Sequence, residues 1–182
     1  PAGVAILAGG PVVVAGVGEL TATASADGSS ATAAGGDAIG AAVAVTYGEL
    51  TIDATVRGPV SGVGVSTSAT VPTATNVFGA KATSGAGGGD LGVAGSVAIL
   101  VVVVEADATL RAPVTAGGGD VSSTASSSSV TTVDALPGED GISGAKTGVG
   151  VSFALAIVND TVTAGIADGV TVTGADDVTI AA

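Results

Sequence analysis

The octapeptide DATVRGPV, beginning at Asp53, returns as DATLRAPV at Asp107, 54 positions later and with six of its eight residues unchanged. The match extends upstream at the same offset, where residues 43–45 (VAV) are answered by residues 97–99 (VAI). A period of this size limits the fold severely. Each unit is one piece of supersecondary structure that cannot bury its apolar side alone, so units stack into an array. An array implies an extended structural or adhesive role and names no ligand.

Four approximate copies follow, at residues 1–38, 39–91, 92–147 and 148–182. Each opens on a glycine-rich turn that runs into an apolar strand: AAGGDAIGAAVAV ending at Val45, AGGGDLGVAGSVAI at Ile99 and GAKTGVGVSFALAI at Ile157. A second anchor is a turn before a short strand, with Pro11, Pro59, Pro113 and Gly169 in equivalent slots spaced 48, 54 and 56 residues apart. A Ser/Thr-rich alternating strand closes each copy: LTATASA from Leu20, VSTSATV from Val65, VSSTASSSSVTTV from Val121 and VTIAA from Val178. Residues 122–129 fall in that slot and read as a polar strand, not a linker.

The residue types agree with strands. Val and Thr suit pleated sheets, and Val, Thr, Ser and Gly are poor helix formers. With 47% apolar residues the chain is not disordered, and with 2% aromatics its core must be thin. The expected fold is all-β, a repetitive β-solenoid resembling a parallel β-helix, with coils of about 20 residues. Stacked antiparallel hairpins are the alternative, turning at Gly48-Glu49 in VTYGELTI and at Asn159-Asp160 in IVNDTVT; LVVVVEAD in the third copy has no such turn pair and favours coils. Residues 93–104 (VAGSVAILVVVV) are too short to span a bilayer and read as a strand buried on both faces.

Composition excludes several functions. Net charge is −12 with only four basic residues, so neither nucleic acid nor an anionic membrane surface is an expected partner. With no Cys and no His, most metal and nucleophile constellations cannot be built. The chain begins at Pro1 and contains no Met, which reads as a processed product or a segment of something longer.

The remaining chemistry lies in acids and glycines. Glu105/Asp107, Glu139/Asp140 and Asp176/Asp177 are paired carboxylates, but a glycosidase needs a cleft with aromatic walls, and Tyr47, Phe78 and Phe153 are the only aromatics. Solvation of a β surface explains the acids better, and the expectation is no catalytic residue. The runs at residues 35–37, 87–90 and 117–120 fit neither a P-loop nor a dinucleotide fingerprint nor tandem calcium repeats, and they read as tight turns. Within Pro137-Gly138-Glu139-Asp140-Gly141, Glu139 and Asp140 are weak candidate Ca²⁺ ligands; no other cofactor is expected. Arg57 and Arg111 recur beside Asp53 and Asp107 and are expected to pair with a carboxylate on a neighbouring strand. The Ser/Thr ladders are too irregular for ice binding.

At residues 148–182 the chain resembles the repeat of leukotoxin-type filamentous adhesins, very large secreted surface proteins. The elements that carry the resemblance are the strand VSFALAIV, the pair Asn159-Asp160, the turn Ile166-Ala167-Asp168-Gly169 and the strand Asp177-Val178-Thr179-Ile180-Ala181. The other copies match more loosely, with Gly-Gly-Pro, Arg-Gly-Pro or Arg-Ala-Pro in place of the Asp-Gly turn. The resemblance implies a secreted, elongated stalk at the cell surface and carries over no catalytic residue. The expected function is a structural extracellular fibre or adhesin stalk segment, not an enzyme. It would self-associate through strand edges as a homopolymer or within a longer chain, with host or cell-surface ligands as further partners. The alternative is a carbohydrate- or calcium-binding module within such a stalk, and a polysaccharide lyase ranks third.

Far-UV circular dichroism of the chain is expected to show β structure with negligible helix. A helical content above about a quarter, near the average of globular proteins, would overturn the strand assignment.

Overall fold

A computed structural model describes residues 4–32, 36–72, 76–143 and 145–182. Among them are fifteen strands and no helix. The strands are β1 (Ile6–Leu7), β2 (Val12–Val17), β3 (Thr21–Asp27), β4 (Ser30–Ala31), β5 (Ala38–Asp53), β6 (Val60–Gly62), β7 (Val65–Val71), β8 (Val77–Gly87), β9 (Leu91–Leu110), β10 (Val114–Ala116), β11 (Val121–Ser127), β12 (Val130–Ser143), β13 (Thr147–Ile166), β14 (Val172–Thr173) and β15 (Val178–Ala181).

They form four sheets, and every strand pair is parallel. The first sheet runs β1-β6-β10-β14, the second β2-β7-β11-β15, the third β3-β8-β12 with β4 also on β8, and the fourth β5-β9-β13. Each sheet takes its strands in chain order, one from each successive stretch of sequence. Val43 sits beside Val97 and Val97 beside Phe153, steps of 54 and 56 residues. Asp53 lies beside Asp107, so the two octapeptides are neighbours in one ladder.

The antiparallel alternative is therefore overturned. Gly48-Glu49 and Asn159-Asp160 lie inside continuous strands of 16 and 20 residues and make no turn. The 20-residue coil is overturned too, because one ladder step spans a whole sequence period. Four strands and four corners fit in each period, and the long fourth strand alone takes up about a third of it. The first copy was also out of phase. Val60 pairs with Ile6 and not with Val12, and Val65 pairs with Val12, so Pro11 and LTATASA do not occupy the slots of Pro59 and VSTSATV. LTATASA instead lies in the third sheet, beside β8. The polar strand expected over residues 122–129 forms only in part: Val121–Ser127 is β11, in register with VSTSATV, while residues 128–129 are a break and Val130 opens β12 in the third sheet.

The core is thin because its residues are small. Ala42, Ala44, Ala80, Ala82, Ala98, Ala106 and Ala108 share its main cluster with Leu100, Val102, Val104 and Phe78. Backbones of opposing sheets come close enough for buried hydroxyls to bridge them. Thr46 in β5 donates to the carbonyl of Gly79 in β8 (2.6 Å), Ser96 in β9 to that of Leu136 in β12 (3.2 Å), and Ser123 in β11 to that of Ala108 in β9 (2.6 Å). Each bond satisfies a hydroxyl that would otherwise be costly to bury. A second cluster of Val56, Val60, Val65, Leu110, Val114, Ala116 and Val121 fills the end where the first two sheets meet.

Two glycine roles hold this arrangement. Phe78 is 0% exposed, and its ring occupies the space over Gly48, where a Cβ would lie 2.7 Å from Cε1. The residue that suggested a hairpin turn is thus a mid-strand vacancy for an aromatic ring. At the corner from the first to the second sheet, Gly64, Gly118 and Gly174 all take positive φ (84°, 84° and 68°), a conformation that costs other L residues about 1–2 kcal/mol.

One strand departs from even pairing. Pro137 of β12 pairs with Ser84 of β8, yet Ile142 pairs with Ala86, so β12 absorbs extra residues as a bulge. Pairing resumes beyond it and continues into β13.

Phe78→Ala should destabilise the chain by about 3–5 kcal/mol, and Gly48→Val by about 1–3 kcal/mol through overpacking. Because both act on the same space, the double variant should cost less than the sum. Urea unfolding of the four chains tests this, and strict additivity would separate the ring from Gly48.

Candidate functional surfaces

The recurring octapeptide builds a small charged constellation. Residues 53, 55 and 57 alternate outward at the end of β5. Asp53 accepts hydrogen bonds from the Thr55 hydroxyl and from Arg57, with Arg57 Nη2 2.6 Å from Oδ2. One step along the ladder Asp107 does the same with Thr109 and with Arg111, at 3.0 Å. Each guanidinium thus turns back to the aspartate of its own segment and not to a neighbouring strand as expected. The reason is register: Asp53 and Asp107 are lateral neighbours, and two stacked like charges repel unless each carries its own donors. The fourth copy places Thr163 beside Asp107, which ends the carboxylate column. The Thr55 hydroxyl, opposed by modest burial and aided by Arg57, holds the Asp53 carboxyl below its ordinary range. At Tyr47 the phenol donates to Glu49 Oε2 at 2.7 Å, and that bond raises its pKa.

The other candidates are not brought together. Glu105 lies exposed on the outer face of β9, while Asp176 and Asp177 lie exposed in the turn before β15. Glu139 and Asp140 fall in the irregular part of β12, and their side chains lie outside the described residues. Among the described residues no three Asp or Glu side chains group as metal ligands. The glycine runs at 87–90 and 117–120 are corners between strands, with Gly88, Gly89 and Gly118 at positive φ; Gly35 lies outside the described residues. The aromatics form no wall, since Phe78 is in the core while Tyr47 and Phe153 stand on different strands of the outer surface.

Sequence reasoning passed over two features. Asn76 is fully buried at the corner into the third sheet. Its Oδ1 accepts from the Leu20 amide (2.8 Å), its Nδ2 donates to the Pro72 carbonyl (2.6 Å), and its carbonyl accepts from Val130 (2.9 Å). One side chain and its backbone so tie three successive repeats. The available signal was rarity, since the chain has only Asn76 and Asn159. The second feature is a groove of about 230 Å³ on the third sheet, where Gly79 leaves a notch between Thr23 and Thr132 and Lys81 stands between Ser25 and Asp134. It is smaller than the usual ligand pocket of about 300–1,000 Å³.

The outer faces differ sharply. The second sheet presents hydroxyls on β7 and β11, with Ser66 beside Ser122, Ser68 beside Thr124 and Thr70 beside Ser126. The fourth sheet presents apolar side chains on all three strands. Ile39, Val93 and Val149 form one row, Val43, Val97 and Phe153 another, then Val45, Ile99 and Leu155, then Tyr47, Val101 and Ile157. The segment 93–104 is therefore buried on one face only. Its inner residues are covered, whereas the outer ones have no layer above them among the described residues and remain partly exposed.

Comparison with protein-family models, curated proteins and solved structures found no match.

Asp53→Asn should lower stability by a few tenths to about 1 kcal/mol at pH 7, because the constellation is largely solvent-exposed. The folded-state pKa of Asp53 is depressed, so its contribution is complete above the unfolded value of about 3.9 and drains away as pH falls through the lower folded value. Thermal melts of the parent and variant from pH 7 to pH 2 should converge at the acid end; a gap that widens there would refute the assignment.

Proposed function

We propose that this chain is a segment of an extracellular structural fibre or adhesin stalk, built as a β-solenoid and extended through strand edges. What supports the reading is the strand order. Four parallel sheets each receive one strand per sequence period, which is how a chain winding round a single axis lays down its coils. Such a rod can lengthen by adding identical steps, and its function is reach and attachment. The likeness of residues 148–182 to the repeats of filamentous adhesins supports a secreted, cell-surface setting for it.

The edges favour growth along the stack. In a parallel ladder, alternate residues bond to opposite neighbours. Ala54 and Val56 donate to Asp107 and Thr109, while Thr147 donates to Asp90 and Ala167 to Leu110. The odd-numbered residues of β5 and the even-numbered residues of β13 therefore point their amides and carbonyls at the two open ends of the fourth sheet. The ends are parallel and of similar length, so β13 of one unit can accept β5 of the next, whether supplied by the same polypeptide or by a second copy. That contact is head-to-tail and does not close on itself.

Negative-stain electron microscopy of the 182-residue chain should show rods that lengthen with concentration. Ala156→Pro removes an edge amide of β13 without touching a bond to β9, and proline is tolerated at such edges. It should shorten the rods while leaving the circular dichroism unchanged. Near-spherical particles at every concentration would sink the stalk reading.

A further inference from the structure

We infer that the outer face of the fourth sheet is a lateral docking surface for a second copy of this chain, pairing two rods side by side. The face is apolar over the rows headed by Ile39, Val43, Val45 and Tyr47, and no charged side chain interrupts it. Tyr47 is 61% exposed, Val151 66% and Phe153 51%, and no element among the described residues covers them. Nine large apolar side chains of this face are between 37% and 71% exposed, so it presents on the order of 1,000 Å² of apolar surface, more than the roughly 300–600 Å² of the largest patch on an ordinary monomer. Two such faces in contact reach the total of about 1,200–2,000 Å² that stable interfaces bury.

Charge selects the orientation of the pair. Four acids of this face stand at one end, Glu49 and Asp53 on β5 and Glu105 and Asp107 on β9. The opposite end holds the strand starts with fewer acids, the exposed Asp37 and the Lys146–Asp90 pair at 2.7 Å. A two-fold axis along the stacking direction sets the strands of the two faces antiparallel. It lays the acid-rich end of each copy over the strand starts of the other and keeps the two acid-rich ends apart. An axis along the strands would oppose acid to acid and is disfavoured. The selected axis also leaves both rods pointing the same way, so pairing and elongation do not compete. The second sheet presents hydroxyls beside the exposed Val13 and Val17 of β2, a smaller apolar surface than that of the fourth sheet. The large negative charge then limits further bundling.

The pairing stands apart from end-to-end growth, and the experiment separates the two. Val43→Lys with Val151→Lys changes the face and leaves every ladder bond in place. Val43→Thr with Val151→Thr is the near-isosteric version should the lysines impair folding. Sedimentation velocity of the parent chain, in the Ala156→Pro background that suppresses elongation, should give a dimer at micromolar concentration. Either face variant should weaken dimerisation at least about tenfold. Without the Ala156→Pro change, electron microscopy should show rods of double width that become single width in the face variants at unchanged length. A parent that stays monomeric in that background, or face variants that still dimerise, would overturn the proposal. A monomeric parent that co-sediments with phosphatidylcholine vesicles, and loses this with the lysines, would assign the face to lipid and overturn it equally.

Discussion

In-register parallel pairing is the constraint on which everything else in this molecule rests. Each strand hydrogen-bonds to the strand one sequence period away, so equivalent residues stack in columns. A favourable residue is then favourable in every layer, and an unfavourable one is penalised in every layer. Alanine columns bring opposing sheets close, and closeness lets Thr46, Ser96 and Ser123 reach carbonyls across the core. The same rule creates the problem of stacked Asp53 and Asp107, and the Thr and Arg that follow each aspartate are its local solution.

The period was the legible part of the sequence. It placed Asp53 beside Asp107 and residues 43–45 beside 97–99, and the Val, Thr and Gly content pointed to strands throughout, while the choice of parallel coils over antiparallel hairpins rested on the missing turn pair in LVVVVEAD. Counting strands inside the period was harder, because a strand of 16 or 20 residues is unusual and a glycine within it looks like a turn. Gly48 illustrates the ambiguity: the vacancy it provides is filled by Phe78, thirty residues away, and no local pattern announces a distant partner. The proline at 11 misled for a related reason. Turn residues recur at several corners in every period, so matching turns alone left the first copy out of phase with Val60 and Val65.

The surfaces were less legible than the core. An apolar run such as residues 93–104 looks the same whether one face or both are covered, since the missing layer leaves no mark on the strand itself. Only the rows formed with Val43 and Phe153, which require the register, turn separate hydrophobic residues into a continuous face. The site of Asn76 was hidden by the opposite circumstance: its three bonds reach residues 20, 72 and 130, and nothing in its immediate sequence distinguishes it from a turn asparagine.

The bulge in β12 has a consequence for how such a chain can diversify. Pairing is regular up to Pro137 and again from Ile142, so the added residues are confined to one place and the next strand begins in step. Length and register are therefore separable quantities in this ladder. A layer can acquire extra chain at its surface while its neighbours above and below keep their contacts. An ornament of new chemistry can be grafted onto one layer without redesigning the column beneath it.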